Sequence, residues 1–319
     1  MMDNLPENRG LTKVEMLVCV GIVLLVVSLL MPFGLRQQVD ARRLFCEQRI
    51  TKLAIVAQKY DDQHGELPGY RNFQAVDATG AERGTGWVFP LLPWFEVPGD
   101  SSGGRVLSIH LAYGAEGADL SRGQAPNERI PELLCPAFYA GNKRPGDRPL
   151  SYVANCGQPD VEDAEGGLPP DWAASGLFFN HLLPKERKVS VSLDWLAKHD
   201  GQEYTLLFSE NMQAGDWTSD REPEAGFLWV VNLLAGEPSP QPLIHGINEE
   251  PDGAIDGKLV NARPSSLHPG GVNVAMADGS TQFVNDKIDY LAYVRMMTSA
   301  GQELKPAGED KLLGKPWRD

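Results

Sequence analysis

The first strong pattern along the chain is an uninterrupted apolar run. Residues 16–33 read MLVCVGIVLLVVSLLMPF, eighteen positions without a charge. Such a run lies at the lower end of the length that crosses a hydrocarbon core of about 30 Å. The residues before it, MMDNLPENRG, are polar, and no small-residue cleavage site follows it. The pattern predicts a polar segment over residues 1–10 that is followed by a retained transmembrane helix over residues 11–35.

Beyond Pro32 the pattern becomes that of an amphipathic helix. Apolar residues recur at spacings of three, four and seven positions, at Val39, Cys46, Ile50, Leu53, Ala57 and Tyr60. Gly65 and Pro68 predict its end, and Pro32 predicts a kink near the membrane exit. We therefore expect one long helix, whose second part over residues 36–64 packs one face against a domain.

That domain, residues 65–319, has the pattern of an α+β fold. Strand-like runs rich in β-branched and aromatic residues cover residues 105–113, 204–209, 226–232 and 272–277. Residues 87–96 are apolar but contain two prolines, which favours a short helix or a packed loop. We expect a mostly antiparallel sheet that packs on the second part of the long helix.

The sharpest local signal in this domain lies at residues 268–285. Asp278-Gly279 separates two strand-like runs, and glycine tolerates the positive φ that a primed two-residue turn requires. The sequence therefore predicts a β-hairpin with its turn at Asp278-Gly279.

Charge and cysteine content narrow the functional classes. The formal net charge is −14 and no basic cluster offsets it, so we expect no binding to nucleic acid. The four cysteines form no C-x-x-C pair. A disulfide between Cys135 and Cys156 would close a loop of about 20 residues, and a pair of buried thiols is the alternative.

Catalytic and metal motifs add little to this picture. H-E-x-x-H does not occur, and the six histidines show no ligand spacing. An irregular Ca²⁺ site from Glu250, Asp252 and Asp256 is an alternative to a solvated acidic loop. We predict no catalytic residue and no cofactor, with Ca²⁺ as the alternative.

The residues around Gly10 resemble the signal of type IV prepilins. Gly10-Leu11-Thr12-Lys13-Val14-Glu15 precedes the apolar run, and Glu15 and Pro32 are the fifth and twenty-second residues counted from Leu11. The resemblance implies that a prepilin peptidase cuts after Gly10 and that Leu11 becomes the new N-terminus. It also implies that Glu15 pairs with the N-terminal amine of a neighbouring subunit during assembly.

A second resemblance lies near the other end of the chain. His268, nine further residues and Asp278-Gly279 form an H-x9-DG motif, similar to that of a large family of prepilin-like proteins of unknown function. Together the two resemblances imply a non-catalytic, pseudopilin-like protein of a type II secretion or type IV pilus-like assembly. Its single membrane pass would hold the C-terminal domain outside the cytoplasm, in the periplasm or at the cell surface. Its partners would be the lipid bilayer, a prepilin peptidase and other pilin-like subunits.

Other interpretations stay open at this point. The N-terminal segment also fits an ordinary signal anchor. The domain also fits a membrane-anchored enzyme in which Glu210, His268 and Asp278 converge on one cleft. A carbohydrate-binding module would expose aromatic side chains, for which the candidates are Trp87, Trp94, Trp217 and Trp229.

Overall fold

A computed structural model describes residues 12–76, 82–95, 129–139, 148–159, 172–229, 231–232, 241–242, 246–249 and 261–302. Contacts divide the chain into two units, Met1–Leu44 and Phe45–Asp319. Helix α1, Lys13–His64, begins in the first unit and ends in the second. Gly10 and Leu11 lie outside the described residues, as do the side chains of Pro32 and Val39. The predicted cleavage and kink therefore stay predictions.

In the first unit, every described side chain of α1 over residues 12–28 is exposed. Within this exposed stretch Leu17 is 71% and Leu24 is 64% accessible. Among the residues that the structure describes, no helix has both the length and the apolar character needed to cross a membrane. The transmembrane helix over residues 11–35 stays a prediction.

In the second unit, α1 buries the predicted apolar stripe. Cys46, Ile50, Leu53 and Ala57 have no accessible surface. The helix ends at His64, because Gly65 adopts a φ of +72° and donates its backbone N–H to the Asp61 carbonyl at 2.7 Å. The prediction of an amphipathic second part that ends at Gly65 is confirmed.

The domain is built around one mixed sheet. The described strands are β1 Arg71–Val76, β2 Glu82–Gly86, β3 Tyr152–Gly157, β4 Leu206–Glu210, β5 Gly226–Leu228, β6 Val231–Asn232, β7 Gln241–Pro242, β8 Gly271–Met276 and β9 Thr281–Asn285. Five of them form the order β5-β3-β4-β8-β9, and β1–β2 and β6–β7 form separate antiparallel pairs. Only β3 and β5 run parallel among these described pairs. The expected α+β fold with a mostly antiparallel sheet is confirmed.

Both faces of the central strands are covered, since every residue of β3, β4 and β8 is buried. Trp87, Phe178 and Phe208 pack against one another at tilted angles in this core, with the Trp87 and Phe208 ring centroids 4.9 Å apart. Asn155 of β3 donates to the carbonyls of Leu206 and Met297, so its buried amide group is hydrogen-bonded. The central strands are therefore part of the buried core.

Short helices connect the strands. They are Val88–Leu91, Leu92–Phe95, Pro131–Leu133, Pro136–Tyr139, Leu193–Ala197, Glu222–Ala225 and Tyr290–Met297, of which the second and third are 3₁₀ helices. The first two confirm the short helix expected within residues 87–96. The strand expected over residues 226–232 is split into β5 and β6, and the strand expected over residues 105–113 lies outside the described residues.

The hairpin of β8 and β9 forms as expected, but its turn differs from the prediction. Gly279 donates its N–H to the Met276 carbonyl, so the central residues of the turn are Ala277 and Asp278. Neither has a positive φ, whereas Gly279, the following residue, has a φ of +87°. This is a three-residue loop whose left-handed glycine forms a bulge. The expected primed two-residue turn is wrong because Asp278 keeps a right-handed conformation.

Candidate functional site

A disulfide joins α1 to the segment before the sheet. Cys46 and Cys135 are bonded, with 5.2 Å between their Cα atoms, and the exposed fraction of each is at most 4%. The predicted Cys135–Cys156 pair is wrong. Cys156 lies buried in β3 and takes no part in the bond. The sequence did not point to Cys46 as the partner, because the two cysteines are 89 positions apart and only tertiary packing brings them together.

Further contacts hold the same segment against α1. Arg49 donates to the carbonyl oxygen of Leu134, directly before Cys135. One turn later, the Lys52 ammonium lies 3.9 Å from the Glu132 carboxylate. The Tyr152 hydroxyl donates to the carbonyl of Cys46 at 3.3 Å. These bonds position both cysteines independently of the sulfur–sulfur bond.

Beside the disulfide lies a buried histidine–carboxylate pair. Nε2 of His268 lies 3.1 Å from Oε1 of Glu210, and both side chains are 2% exposed. The second carboxylate oxygen of Glu210 accepts the backbone N–H and the side-chain amide of Asn273, at 2.8 and 3.3 Å. Every acceptor that Glu210 buries is therefore matched by a donor.

The sheet and a tight turn set the positions of this pair. Glu210 is the last residue of β4, and Asn273 lies in the neighbouring strand β8. His268 precedes β8, and its backbone N–H donates to Oγ of Ser266 at 3.0 Å. The same hydroxyl donates to the Gly271 carbonyl at 2.7 Å, which fixes the turn leading into β8. The turn formed by residues 268–271 (HPGG) therefore places the His268 imidazole beside Glu210 at the end of β4.

The disulfide and the pair together form one compact group, which we call the buried cluster: Cys46, Cys135, Glu210 and His268. One potential ligand atom from each residue lies within 4.8 Å of the others. Sγ of Cys135 is 3.7 Å from Nε2 of His268. These residue types can bind zinc, but both cysteine sulfurs are held in the disulfide in this structure.

There is little space beside the buried cluster for a substrate. The adjoining cavity, lined in part by Ser151 and Met212, measures about 10 Å³. That is about the space needed by one water molecule. The buried Ser151 hydroxyl has no hydrogen-bond partner, so this cavity offers a polar contact to such a water.

Asp278 does not join Glu210 and His268. Its Oδ1 accepts the backbone N–H of Ser280 at 2.8 Å, within its own turn, and its side chain is exposed. The six residues of β8 separate it from His268, a span of about 20 Å at the usual rise per residue. The alternative hypothesis that Glu210, His268 and Asp278 all converge on one cleft is therefore wrong for Asp278, whereas Glu210 and His268 do meet.

The other half of the motif packs on α1. Nε2 of Gln58 donates to the Ala277 carbonyl at 3.0 Å. A Cβ at Gly279 would lie 3.0 Å from the Gln58 amide, so a side chain there would press against the helix. The two ends of the H-x9-DG motif therefore lie near different residues of α1. His268 lies near Cys46, and Gly279 lies near Gln58.

The tryptophans proposed for carbohydrate binding do not form an exposed platform. Trp87, Trp217 and Trp229 are at most 2% exposed. The indole N–H of Trp87 donates to the Ala225 carbonyl, and that of Trp229 donates to the Ser175 carbonyl. Trp94 is half-buried and packs edge-on against His64. The carbohydrate hypothesis is wrong for the three buried tryptophans.

The Ca²⁺ site proposed for the acidic loop stays a prediction, because Glu250, Asp252 and Asp256 lie outside the described residues.

A different acidic feature, which the sequence did not reveal, is a cleft of about 390 Å³ lined by Asp61, Asp62 and Asp194. Oδ2 of Asp61 accepts the backbone N–H of Leu193 at 3.1 Å, and its buried Oδ1 has no hydrogen-bond partner. Burial raises the pKa of Asp61, and the neighbouring carboxylates raise it further.

A capping box starts α1. The Glu15 carboxylate accepts the backbone N–H and the hydroxyl of Thr12, both at 2.8 Å, and the Glu15 backbone N–H donates to the Thr12 hydroxyl at 3.3 Å. This reciprocal pattern satisfies amides that a helix start leaves unpaired. The T-x-x-E spacing of Thr12 and Glu15, directly before an apolar run, is the sequence signal for such a box.

The amino-acid sequence matches the model of a known protein family. The sequence profile of the family described as protein of unknown function DUF1559 matches residues 39–291. Since the match covers more than half of the chain, the protein belongs to this family. The matched range contains all four residues of the buried cluster, and it begins after the apolar run. No curated protein and no solved structure matches the chain.

Proposed function

We propose that this protein is a non-catalytic, membrane-anchored pseudopilin-like subunit. In this proposal a prepilin peptidase removes residues 1–10, the first part of α1 lies in the bilayer, and the domain lies outside the cytoplasm. The observation that carries the proposal is the exposure of residues 12–28 on all sides of α1.

The exposed stretch needs a surrounding apolar partner. Its side chains include Leu17, Ile22 and Leu25, each between 58% and 71% exposed, and no charge follows Glu15 up to residue 33. A helix that is apolar all round is normally covered by a protein core or by lipid. The Ser28 hydroxyl donates to the Leu25 carbonyl at 2.8 Å, so this polar group is satisfied within the helix. Lipid and the helices of neighbouring subunits fit such a surface.

The position of Glu15 suits an assembly role. Its carboxylate is held at the first turn of α1 by Thr12. Cleavage after Gly10 would place a new positive amine on Leu11, one residue before Thr12. The same amine on a neighbouring subunit could pair with the Glu15 carboxylate, which is already oriented at the start of the helix. This pairing would be favourable because an unpaired charge in the membrane is costly.

The domain supports a structural interpretation of the H-x9-DG motif. His268 is buried against Glu210, Asp278 bonds within its turn, and Gly279 lets that turn approach Gln58. His268, Asp278 and Gly279 thus each take part in packing or hydrogen bonding within the domain. These structural roles favour a subunit with a rigid surface over a catalytic protein.

The test is the mature N-terminus of the full-length protein made in cells with an active prepilin peptidase. Intact mass spectrometry should find a chain that begins at a methylated Leu11. Gly10→Val should block cleavage, whereas Gly21→Ala serves as the matched control because a Cβ at Gly21 would meet nothing within 4 Å. A chain that retains Met1, in cells that process another prepilin, would overturn the proposal.

A further inference from the structure

The residues of the buried cluster are also suited to bind a metal ion when the disulfide is not formed. The four residues come from α1, the segment before β3, the end of β4 and the turn before β8. All four are at most 4% exposed. Two sulfurs, one imidazole and one carboxylate are a complete ligand set for a closed, four-coordinate metal site.

The distances on the His268 side already suit a tetrahedral ion. Ligand atoms bound tetrahedrally to zinc at about 2.3 Å for sulfur and about 2.0–2.2 Å for nitrogen and oxygen lie roughly 3.3–3.8 Å from one another. In the protein, Nε2 of His268 is 3.7 Å from Sγ of Cys135 and 3.1 Å from Oε1 of Glu210. The two sulfurs, which are covalently joined, are closer than such an ion requires.

The surroundings would support the ligands once a metal is bound. Oε2 of Glu210 is fixed by the two donors of Asn273, which leaves Oε1 to turn to an ion. The backbone of Cys46 is held by Tyr152, and that of His268 is held by Ser266. Such outer contacts orient ligands and raise metal affinity. The cluster therefore does not depend on the disulfide to stay assembled.

We propose that Cys46, Cys135, His268 and Glu210 bind one Zn²⁺ ion when the Cys46–Cys135 disulfide is reduced. A dithiol supplies two electrons and two hydrogens, which convert the disulfide to two thiols, and the dithiol becomes a disulfide. Binding of Zn²⁺ then releases the two thiol protons. Nε2 of His268 gives up its hydrogen bond to Glu210 and loses its proton, which moves to Nδ1 when the ring is neutral and to solvent when the ring is protonated; its lone pair then binds the metal. The metal replaces the covalent link between α1 and residue 135.

Zinc is the expected ion because of the ligand types. Two thiolates and an imidazole favour a borderline-soft ion, whereas Ca²⁺ and Mg²⁺ prefer all-oxygen sites. With four protein ligands the coordination shell has no open position, as in structural zinc sites. This inference is independent of the membrane anchor and of cleavage after Gly10.

The test uses the full chain in detergent micelles with Cys19→Ser and Cys156→Ser as the parent, so that only the cluster thiols remain. The parent is reduced with dithiothreitol, desalted without oxygen and titrated with Co²⁺ and then Zn²⁺. We expect one Co²⁺ per chain, with a thiolate charge-transfer band and the visible bands of tetrahedral cobalt, and displacement of Co²⁺ by Zn²⁺. The oxidised parent should show neither.

Two variants locate the site. Cys46→Ser with Cys135→Ser should abolish the charge-transfer band. His268→Gln should raise the Zn²⁺ dissociation constant more than about a hundredfold, because the loss of an outer contact alone costs about ten- to a hundredfold. The proposal is overturned if the reduced parent binds no metal through thiolate, or if the double variant keeps the band. Circular dichroism checks whether each variant and the reduced parent are folded. A reduced chain that unfolds should refold when Zn²⁺ is added, and failure to refold also overturns the proposal.

Discussion

The two ends of helix α1 carry similar apolar residues but have different surroundings. Between residues 12 and 28 every side chain is exposed, whereas Cys46, Ile50, Leu53 and Ala57 are fully buried. The first stretch is apolar on all sides, and the second has a single apolar stripe. A stripe can be covered by one domain, but an apolar surface on all sides needs a medium or several partners around it. One continuous helix therefore combines an exposed apolar stretch with part of the core of a domain.

The largest expected difference between the two stretches concerns their cysteines. Replacing Cys46 and Cys135 by alanine removes a bond that closes a loop across 89 residues, and should lower the free energy of unfolding by about 4–5 kcal/mol. Cys19→Ala, in the exposed stretch, should change it by less than about 0.5 kcal/mol. Urea denaturation of the full chain in detergent checks both, because all seven tryptophans lie after residue 44 and report on the domain. Equal losses would contradict the contrast between the two stretches.

A matched pair of leucines gives the next effect. Leu53→Ala empties a fully buried position and should cost about 2–5 kcal/mol. Leu24→Ala, on the same helix but 64% exposed, should leave the unfolding free energy of the domain unchanged within about 0.5 kcal/mol. The same denaturation experiment measures both variants. A large loss for Leu24→Ala would mean that the exposed stretch belongs to the domain core.

The smallest effect comes from Asp61, a polar group within the buried part of α1. Burial raises its pKa, so the folded state holds the proton more tightly than the unfolded state. The stabilisation from that proton is present below the ordinary pKa of 3.8 and is lost as the pH rises. Asp61→Asn should therefore stabilise the domain by about 0.5–1 kcal/mol at pH 7, and the gain should vanish below pH 3.8.

Asp62→Asn is the control for this prediction, because it removes the same charge from an exposed neighbour. Its effect on unfolding should stay within about 0.5 kcal/mol. A gain at Asp61→Asn that did not depend on pH would contradict the assignment to ionisation of the buried carboxyl.

Local signals in the sequence were enough for much of this fold. The spacing of Cys46, Ile50 and Leu53 predicted the buried face of α1, and Gly65 predicted its end, because both depend on neighbouring turns of one helix. The β8–β9 hairpin was predicted for the same reason. Its turn type was not, since hydrogen bonds from the backbone of Ala277 and Asp278 to Thr205 and Gln202 also hold that loop.

The candidate site depended on contacts that sequence spacing does not encode. Cys46 meets Cys135, and Glu210 meets His268, only because the sheet and α1 pack together. The Asp61 cleft likewise needs the backbone of Leu193, 132 positions away. The sequence analysis proposed Cys156 as the partner of Cys135, considered Asp278 together with Glu210 and His268, and did not single out Asp61. Residues that are far apart in the sequence come into contact only when the core packs.

The membrane anchor is tested most directly by the native Cys19, an exposed residue of the stretch that we place in lipid. In membranes from cells that make the Cys156→Ser variant, Cys19 should be the only thiol outside the disulfide. A polar maleimide added to opened membranes should leave Cys19 unlabelled, and full labelling should follow only when sodium dodecyl sulfate dissolves the bilayer. Rapid labelling without detergent would show that this part of α1 lies in water, and would contradict the membrane anchor.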